Sequence, residues 1–402
     1  MRKRILAAVV VCTAAVLQAG CTLTAATDNP ATEFVDAPAP QLSGEVLRER
    51  GGIVTATPIR EWSAALDADA DRGWTVTYRS VSGVDGSLRD VSGVVFVPTG
   101  EAPAGGWPVL SYGHGATGLD PSCGTSGHTD LLGYDLAVAS LLQLGFVVAM
   151  TDFQGWGAGG GANAYLEPKT AAYNMIDAVR AARALVHEAS ATWYAVGASE
   201  GGHAAWAANE YAATYGDGLD FRGSASSAPM ADLSGIVALA QSGWLSHEQQ
   251  MWLPMVLAGL SNHRPELNAG DYLHGPLEHG ESMWSACTGP HADQREQVLE
   301  SLTARDTEPV SDAAAARLKQ AFASIALPQR RASGPMLVIT GAADQKVNVS
   351  WVRQAVRTAC RNGGTIEFIV RPDEGHGTLV AGPQIGAWLL ERLTGKPARN
   401  TC

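Results

Sequence analysis

Gly197-Ala198-Ser199-Glu200-Gly201 follows the apolar run Trp193-Tyr194-Ala195-Val196 and precedes Gly202-His203-Ala204-Ala205-Trp206-Ala207-Ala208. The first run reads as a buried strand and the second as a helix. A Gly-x-Ser-x-Gly junction between them is a sharp turn that lifts one serine hydroxyl clear of the backbone. Small residues on both sides let neighbouring backbone pass close by. Such a turn presents Ser199 as a nucleophile. It also aims the next backbone N–H, that of Glu200, at the negative oxygen that forms when the hydroxyl attacks a carbonyl. In a chain with 45 glycines the pattern alone is weak. Its position between strand and helix, and its partners downstream, give it weight.

Outward from this turn the chain alternates short apolar strands with helices. Residues 73–98 alternate apolar and polar positions around Asp85-Gly86 and read as an antiparallel opening, with strands at 74–78 and 94–97. Buried strands follow at 107–112, 146–150, 221–228, 336–340 and 366–370. Helices are expected at 135–144, 171–186, 349–361 and 384–393. This pattern predicts an α/β fold: a mostly parallel sheet with helices on both faces, whose chemistry lies at the carboxyl ends of the strands. Residues 229–330 break the alternation and read as helices at 233–241, 246–260, 291–301 and 311–325. The expected body is therefore a core of residues 43–228 and 331–402, with a helical cap inserted at 229–330.

Two further residues stand directly after predicted strands: Asp344 in Gly341-Ala342-Ala343-Asp344 and His376 in Gly375-His376-Gly377. The order Ser199, Asp344, His376 is that of the α/β-hydrolases and differs from both common serine-protease orders. In this chemistry the serine attacks, the histidine takes and returns the proton, and the aspartate orients the imidazole. Asp373 and Glu374 compete with Asp344, but they lie too close in sequence to His376 to support it easily from beneath. A second oxyanion donor is expected from the loop after the strand at 107–112. There Gly113-His114-Gly115-Ala116 nominates the N–H of Ala116, with His114 shaping the loop. The glycine-rich run 155–161 lacks the Lys-Ser/Thr ending of a phosphate cradle and reads as a mobile loop beside the site. Trp244, Met251, Trp252, Met255 and Leu257 either line an acyl pocket or form the cap's own core.

The amino terminus reads as an export leader over residues 1–20. Met1-Arg2-Lys3-Arg4 is basic, and residues 5–17 are apolar but too short to span a bilayer comfortably. Ala19-Gly20-Cys21 resembles the end of a bacterial lipobox, which makes Cys21 a lipidation site. Gln18 departs from the leucine expected there, and plain secretion after Ala19 or Ala26 is the alternative. Residues 21–42 are rich in Ala, Thr, Pro and Asp and read as a flexible linker. Net charge is −12 with no basic run beyond the leader, which argues against a nucleic-acid partner. Four cysteines remain beyond the leader and Cys21: Cys123, Cys287, Cys360 and Cys402. An even number in an exported chain reads as two disulfides with three possible pairings, of which Cys123–Cys287 with Cys360–Cys402 is favoured.

With these motifs in place the chain resembles the secretory lipase family of α/β-hydrolases. The resemblance is carried by Gly-His-Gly-Ala-Thr-Gly-Leu-Asp at 113–120, Thr-Asp-Phe-Gln-Gly-Trp-Gly at 151–157, the Ser199 turn, Gly-Ala-Ala-Asp at 341–344 and Gly-His-Gly at 375–377. It implies a helical cap, a mechanism without metal or cofactor, two disulfides compatible with the favoured pairing, and hydrolysis of carboxylic esters, including triacylglycerols in some members. The expected partner is a small-molecule or lipid ester, with membrane contact through a lipid anchor if Cys21 is modified. An acyltransferase or serine peptidase on the same fold, and a non-catalytic binding protein, are the rival readings.

Overall fold

The computed structural model describes Asp36 and residues 41–279, 281–289 and 292–402. The expected leader, the lipidation site Cys21 and nearly all of the linker lie outside the described residues. Asp36–Cys402 forms one compact unit.

The unit is built on a single nine-stranded sheet. It opens with a short helix, α1 (Gly44–Glu49), and three antiparallel strands, β1 (Ile53–Pro58), β2 (Ala70–Val81) and β3 (Leu88–Pro98). Neither α1 nor β1 is legible in the sequence. The helix spans six residues and buries none of them, and the strand is an almost wholly exposed edge, so neither carries an apolar period. β4 (Trp107–Gly113) and β5 (Val147–Thr151) follow, with β3 pairing antiparallel to β5. The remaining strands are β6 (Ala189–Ala198), β7 (Asp220–Ser227), β8 (Met336–Gly341) and β9 (Ile366–Arg371). From β5 onward all pairings are parallel, in the order β5-β4-β6-β7-β8-β9.

Successive residues of these strands point to opposite faces, so a continuous apolar run needs cover on both sides. Val109, Ala149, Trp193 and Val338 pack in one cluster with helices α3 (Pro168–Leu185) and α4 (Glu200–Tyr215) and with the later helix Val349–Arg361. Their neighbours Leu110, Val148, Tyr194 and Leu337 pack in a second cluster with α2 (Asp135–Gln143) and the last helix, Gly382–Leu393. Burying side chains of this size is worth roughly 1.5–3 kcal/mol each.

Between β7 and β8 the chain forms α5 (Gly235–Ser242), α6 (His247–Ser261), α7 (Glu281–Ser285), α8 (Ala292–Ser301) and α9 (Asp312–Ile325), with no strand among the described residues. The helices after β8 and β9 are then α10 (Val349–Arg361) and α11 (Gly382–Leu393). Where the insertion returns to the sheet, the buried carboxyl group of Glu210 on α4 accepts the N–H groups of Gln329 (2.8 Å) and Arg330 (2.9 Å) and Nε1–H of Trp206 (2.8 Å). Cys123 is bonded to Cys287, and Cys360 to Cys402.

Candidate active site

β6 delivers Ser199 at the carboxyl edge of the sheet, with φ 56° and ψ −115°. That is a costly conformation for a side chain with a Cβ, and it persists only where the surroundings hold it. They do: Ser199 N–H donates to Ser227 O (2.9 Å) and Ser199 O accepts from His203 N–H (3.0 Å). A Cβ on Gly197 would overlap the backbone of Gly201, and one on Gly201 would overlap that of Gly113. The two glycines of the motif are therefore demanded by how closely α4 approaches the ends of β4 and β6.

After β8 the chain turns tightly and presents Asp344, which is 6% exposed. Its Oδ1 accepts the N–H groups of Lys346 (2.9 Å) and Val347 (2.8 Å), leaving Oδ2 to meet Nδ1 of His376 at 2.8 Å. Nε2 of the same imidazole lies 2.8 Å from Ser199 Oγ. The three residues singled out in the sequence are thus brought into one hydrogen-bonded series. The competing carboxylate of Glu374 faces its own loop, accepting the N–H of Val380 at 2.8 Å, while Glu374 O accepts that of Ala343 at 3.1 Å. Gly341 has no room for a Cβ against the Glu374 carbonyl, so the histidine loop can close down on the aspartate loop.

Ala116 lines the same cleft as Ser199 and His376. The N–H of the preceding Gly115 already donates to Tyr134 Oη (2.9 Å), which leaves Ala116 as the next donor along the loop. His114 sits fully buried behind it, with Nδ1 2.7 Å from Gly115 O and its ring 5.2 Å from that of Phe153. Burial lowers its pKa, so the ring is a neutral packing element at pH 7. Glu200 opens α4, where a backbone N–H has no intrahelical acceptor. Its carboxyl turns away into a small pocket of about 10 Å³ shared with Asn174 and His203. Burial there pushes the Glu200 pKa well up and holds that of His203 down to about 4, so the His203 imidazole is neutral at pH 7.

The glycine run 155–161 differs from the expectation of a mobile loop. Trp156 is buried and its Nε1–H donates to Gly118 O at 2.9 Å. Gly157 leaves no space for a Cβ beside Ser92 and Asp152. The Asp152 carboxylate gathers Ser92 Oγ (2.6 Å), Thr125 Oγ1 (2.9 Å) and Ser126 N–H (2.8 Å). The glycines at the front of the run permit close packing, and only Gly160 and Gly161 face open space. The apolar candidates of the insertion also divide. Trp252 and Met255 line the cleft, Met251 lines an adjoining chamber, Leu257 is buried in the core, and Trp244 is 76% exposed. Sequence reasoning missed Tyr134, Met230, Lys346 and Leu379, which also line the cleft. Only Lys346, two residues past Asp344, sits where the sequence already drew notice. Among the described residues no group of three or more His, Cys, Asp or Glu side chains is placed to hold a metal ion.

A strand-borne serine on a strained turn, at the carboxyl end of a mostly parallel sheet, defines the α/β-hydrolase class, and comparison with solved structures agrees. A variant of the rice cell wall degrading esterase LipA from Xanthomonas oryzae superposes with a TM-score of 0.66 at 19% identity, covering 87% of this chain and 100% of its own. Candida antarctica lipase A in its closed state superposes with a TM-score of 0.66 at 15% identity, covering 92% of this chain and 89% of its own. No curated protein matches the sequence. The secretory lipase family matches residues 128–401, and the chain belongs to that family. Its class is accordingly that of hydrolases acting on esters.

Proposed function

We propose that this chain is an exported serine hydrolase that cleaves carboxylic esters through Ser199, His376 and Asp344 and a covalent acyl-enzyme. The observation that carries the reading is the series Ser199 Oγ–His376 Nε2 and His376 Nδ1–Asp344 Oδ2, both 2.8 Å, opening into a cleft of about 340 Å³. Ser199 Oγ attacks the ester carbonyl as His376 Nε2 takes its proton. The N–H groups of Glu200 and Ala116 receive the oxyanion. His376 returns the proton to the departing alcohol, and water enters by the same steps in reverse to release the acid. Asp344 keeps the imidazole in the right tautomer and stabilises its charged form. Helices α5–α9 act as the cap, and Met230, Trp252, Met255 and Leu379 supply an apolar surface for part of the substrate. Two disulfides and the leader-like amino terminus favour export, with Cys21 the lipid-bearing residue in a cell-envelope form of the protein.

The test is a series of p-nitrophenyl esters from acetate to palmitate, assayed with wild type beside Ser199→Ala. Turnover that depends on Ser199 supports the reading, and its peak along the series gives the chain length. Turnover that survives the substitution, or a folded protein that neither hydrolyses any ester nor reacts with a fluorophosphonate, would overturn it.

A further inference from the structure

The cleft above Ser199 adjoins a second chamber of about 140 Å³, and the two share Ala116, Trp252, Met255 and Lys346 as walls. The chamber lies between the loop 116–118 and segments of the insertion that contribute Trp284, Thr288 and Arg295. Among the described residues no aspartate or glutamate lines either space, whereas two cations do, Lys346 at the junction and Arg295 in the side chamber. Among the described residues neither cation has a carboxylate within ion-pair distance. Arg295 donates to the Met283 carbonyl at 3.0 Å, and Glu248 and Asp344 act on Lys346 only through space. Burial lowers the pKa of both cations; the charges of Glu248 and Asp344 offset part of this at Lys346, whereas burial alone acts on Arg295.

Two partly desolvated like charges facing one chamber are costly in an empty site, and all the more unexpected in a chain of net charge −12. A neutral acyl chain entering this chamber would strip more water from them and return nothing. An anionic oxygen group would supply the missing charge and two charge-assisted hydrogen bonds. We propose that the side chamber is an anion subsite, and that the preferred ester carries a carboxylate or phosphate on the arm that enters it, held by Lys346 and Arg295. The inference rests on the ester-hydrolase reading and names the substrate class of that site. Lys346 and Arg295 are specificity residues, with no part in the proton transfers at Ser199.

The experiment uses two matched pairs of esters at low ionic strength. The first is p-nitrophenyl pentanoate against p-nitrophenyl hydrogen glutarate, which places a carboxylate on the acyl arm. The second is monooctanoylglycerol against its phosphate monoester, which places a phosphate on the alcohol arm. Wild type is expected to favour the anionic member of one pair by about tenfold in kcat/KM, chiefly through KM, and the pair concerned identifies the anion. The preference shrinks with added salt. It falls about tenfold in Arg295→Gln and in Lys346→Met, with melting temperature measured on each variant; the wild-type ratios stand even if one variant fails to fold. Hydrolysis of the neutral esters with no anionic preference in either pair, or a preference that both folded variants retain, overturns the inference and leaves the ester-hydrolase reading intact. Failure of wild type to hydrolyse any of the four overturns the inference, and the ester-hydrolase reading falls with it only if a fluorophosphonate also fails to react.

Discussion

At the scale of single residues, the site depends on a few atoms whose neighbours leave no freedom. Asp344 spends one oxygen on two backbone N–H groups and the other on His376, so the imidazole is oriented by a carboxylate that cannot rotate away. Asp344→Asn puts an amide N–H where an acceptor is required and favours the wrong tautomer of His376. It is expected to lower kcat by about 10³–10⁴ with little change in melting temperature, read from steady-state kinetics and calorimetry on the same sample. Gly201 is a structural counterpart. Gly201→Ala forces a methyl group into the Gly113 backbone and is expected to destabilise the fold by about 2–4 kcal/mol in urea denaturation. A fully stable Gly201→Ala protein would mean that α4 does not sit as close to β4 as described.

At the scale of elements, the insertion is fastened to the core at several points, among them Gln249 Nε2–H to Lys346 O (3.1 Å) and Trp252 Nε1–H to Tyr165 Oη (3.1 Å), and two further attachments carry predictions. On one side, loop 116–123 is joined to segment 285–288 by the Cys123–Cys287 bond, by Thr288 N–H to Thr117 O (2.8 Å) and by Leu119 N–H to Ser285 O (2.8 Å). The proposed oxyanion donor Ala116 sits at the start of this loop. Loss of the bond through Cys287→Ser is therefore expected to lower ester turnover severalfold at a temperature where the protein is folded. Cys402→Ser, which frees only the tail beyond α11, should lower stability without that effect on turnover. On the other side, Glu210 holds the returning chain at Gln329 and Arg330. Burial pushes its pKa up to about 8, against the help of three hydrogen bonds and the Arg330 charge. Between roughly pH 4.5 and 8 the folded state then binds more protons at this position than the unfolded chain does. This contribution is present at the acid end and is lost as pH rises through 8. Comparing melting temperatures of wild type and Glu210→Gln from pH 5 to 9 isolates it. The variant should gain relative to wild type as pH rises, and a constant difference would refute the assignment.

For the whole molecule, the disulfides close long stretches of chain, 164 residues for Cys123–Cys287 and 42 for Cys360–Cys402. In the loop-entropy account these closures are worth about 5 and about 4 kcal/mol, a large share of a typical net stability of 5–15 kcal/mol. Reduction is expected to lower the melting temperature markedly; an unchanged value under strong reductant would show that the four thiols are not paired in solution. The net negative charge and the two chamber cations meet at this scale too. An acidic surface repels anionic substrates at long range, so the anion subsite must recover in close contact what the outer field takes away, and added salt acts on both.

Read by itself, the amino-acid sequence determined the strand–helix alternation, the serine turn and the chain order of Ser199, Asp344 and His376. Each of these is written locally, in apolar period and in glycines that only a tight turn requires. The helices over 349–361 and 135–144 were legible for the same reason, since each carries its own burial pattern. What depends on distant segments meeting was not legible. The edge strand β1 has no apolar face of its own and exists because β2 offers it a ladder. The glycine run 155–161 looked mobile because its packing partners, Gly118, Ser92 and Asp152, lie before it in the chain and reach it only through the fold. Of the five apolar candidates in the insertion, tertiary packing alone decided which faced the cleft, which filled the core and which stayed in solvent. Lys346 and Arg295 stand 51 positions apart with no shared motif, and only the closure of the insertion over the sheet edge brings them to one chamber.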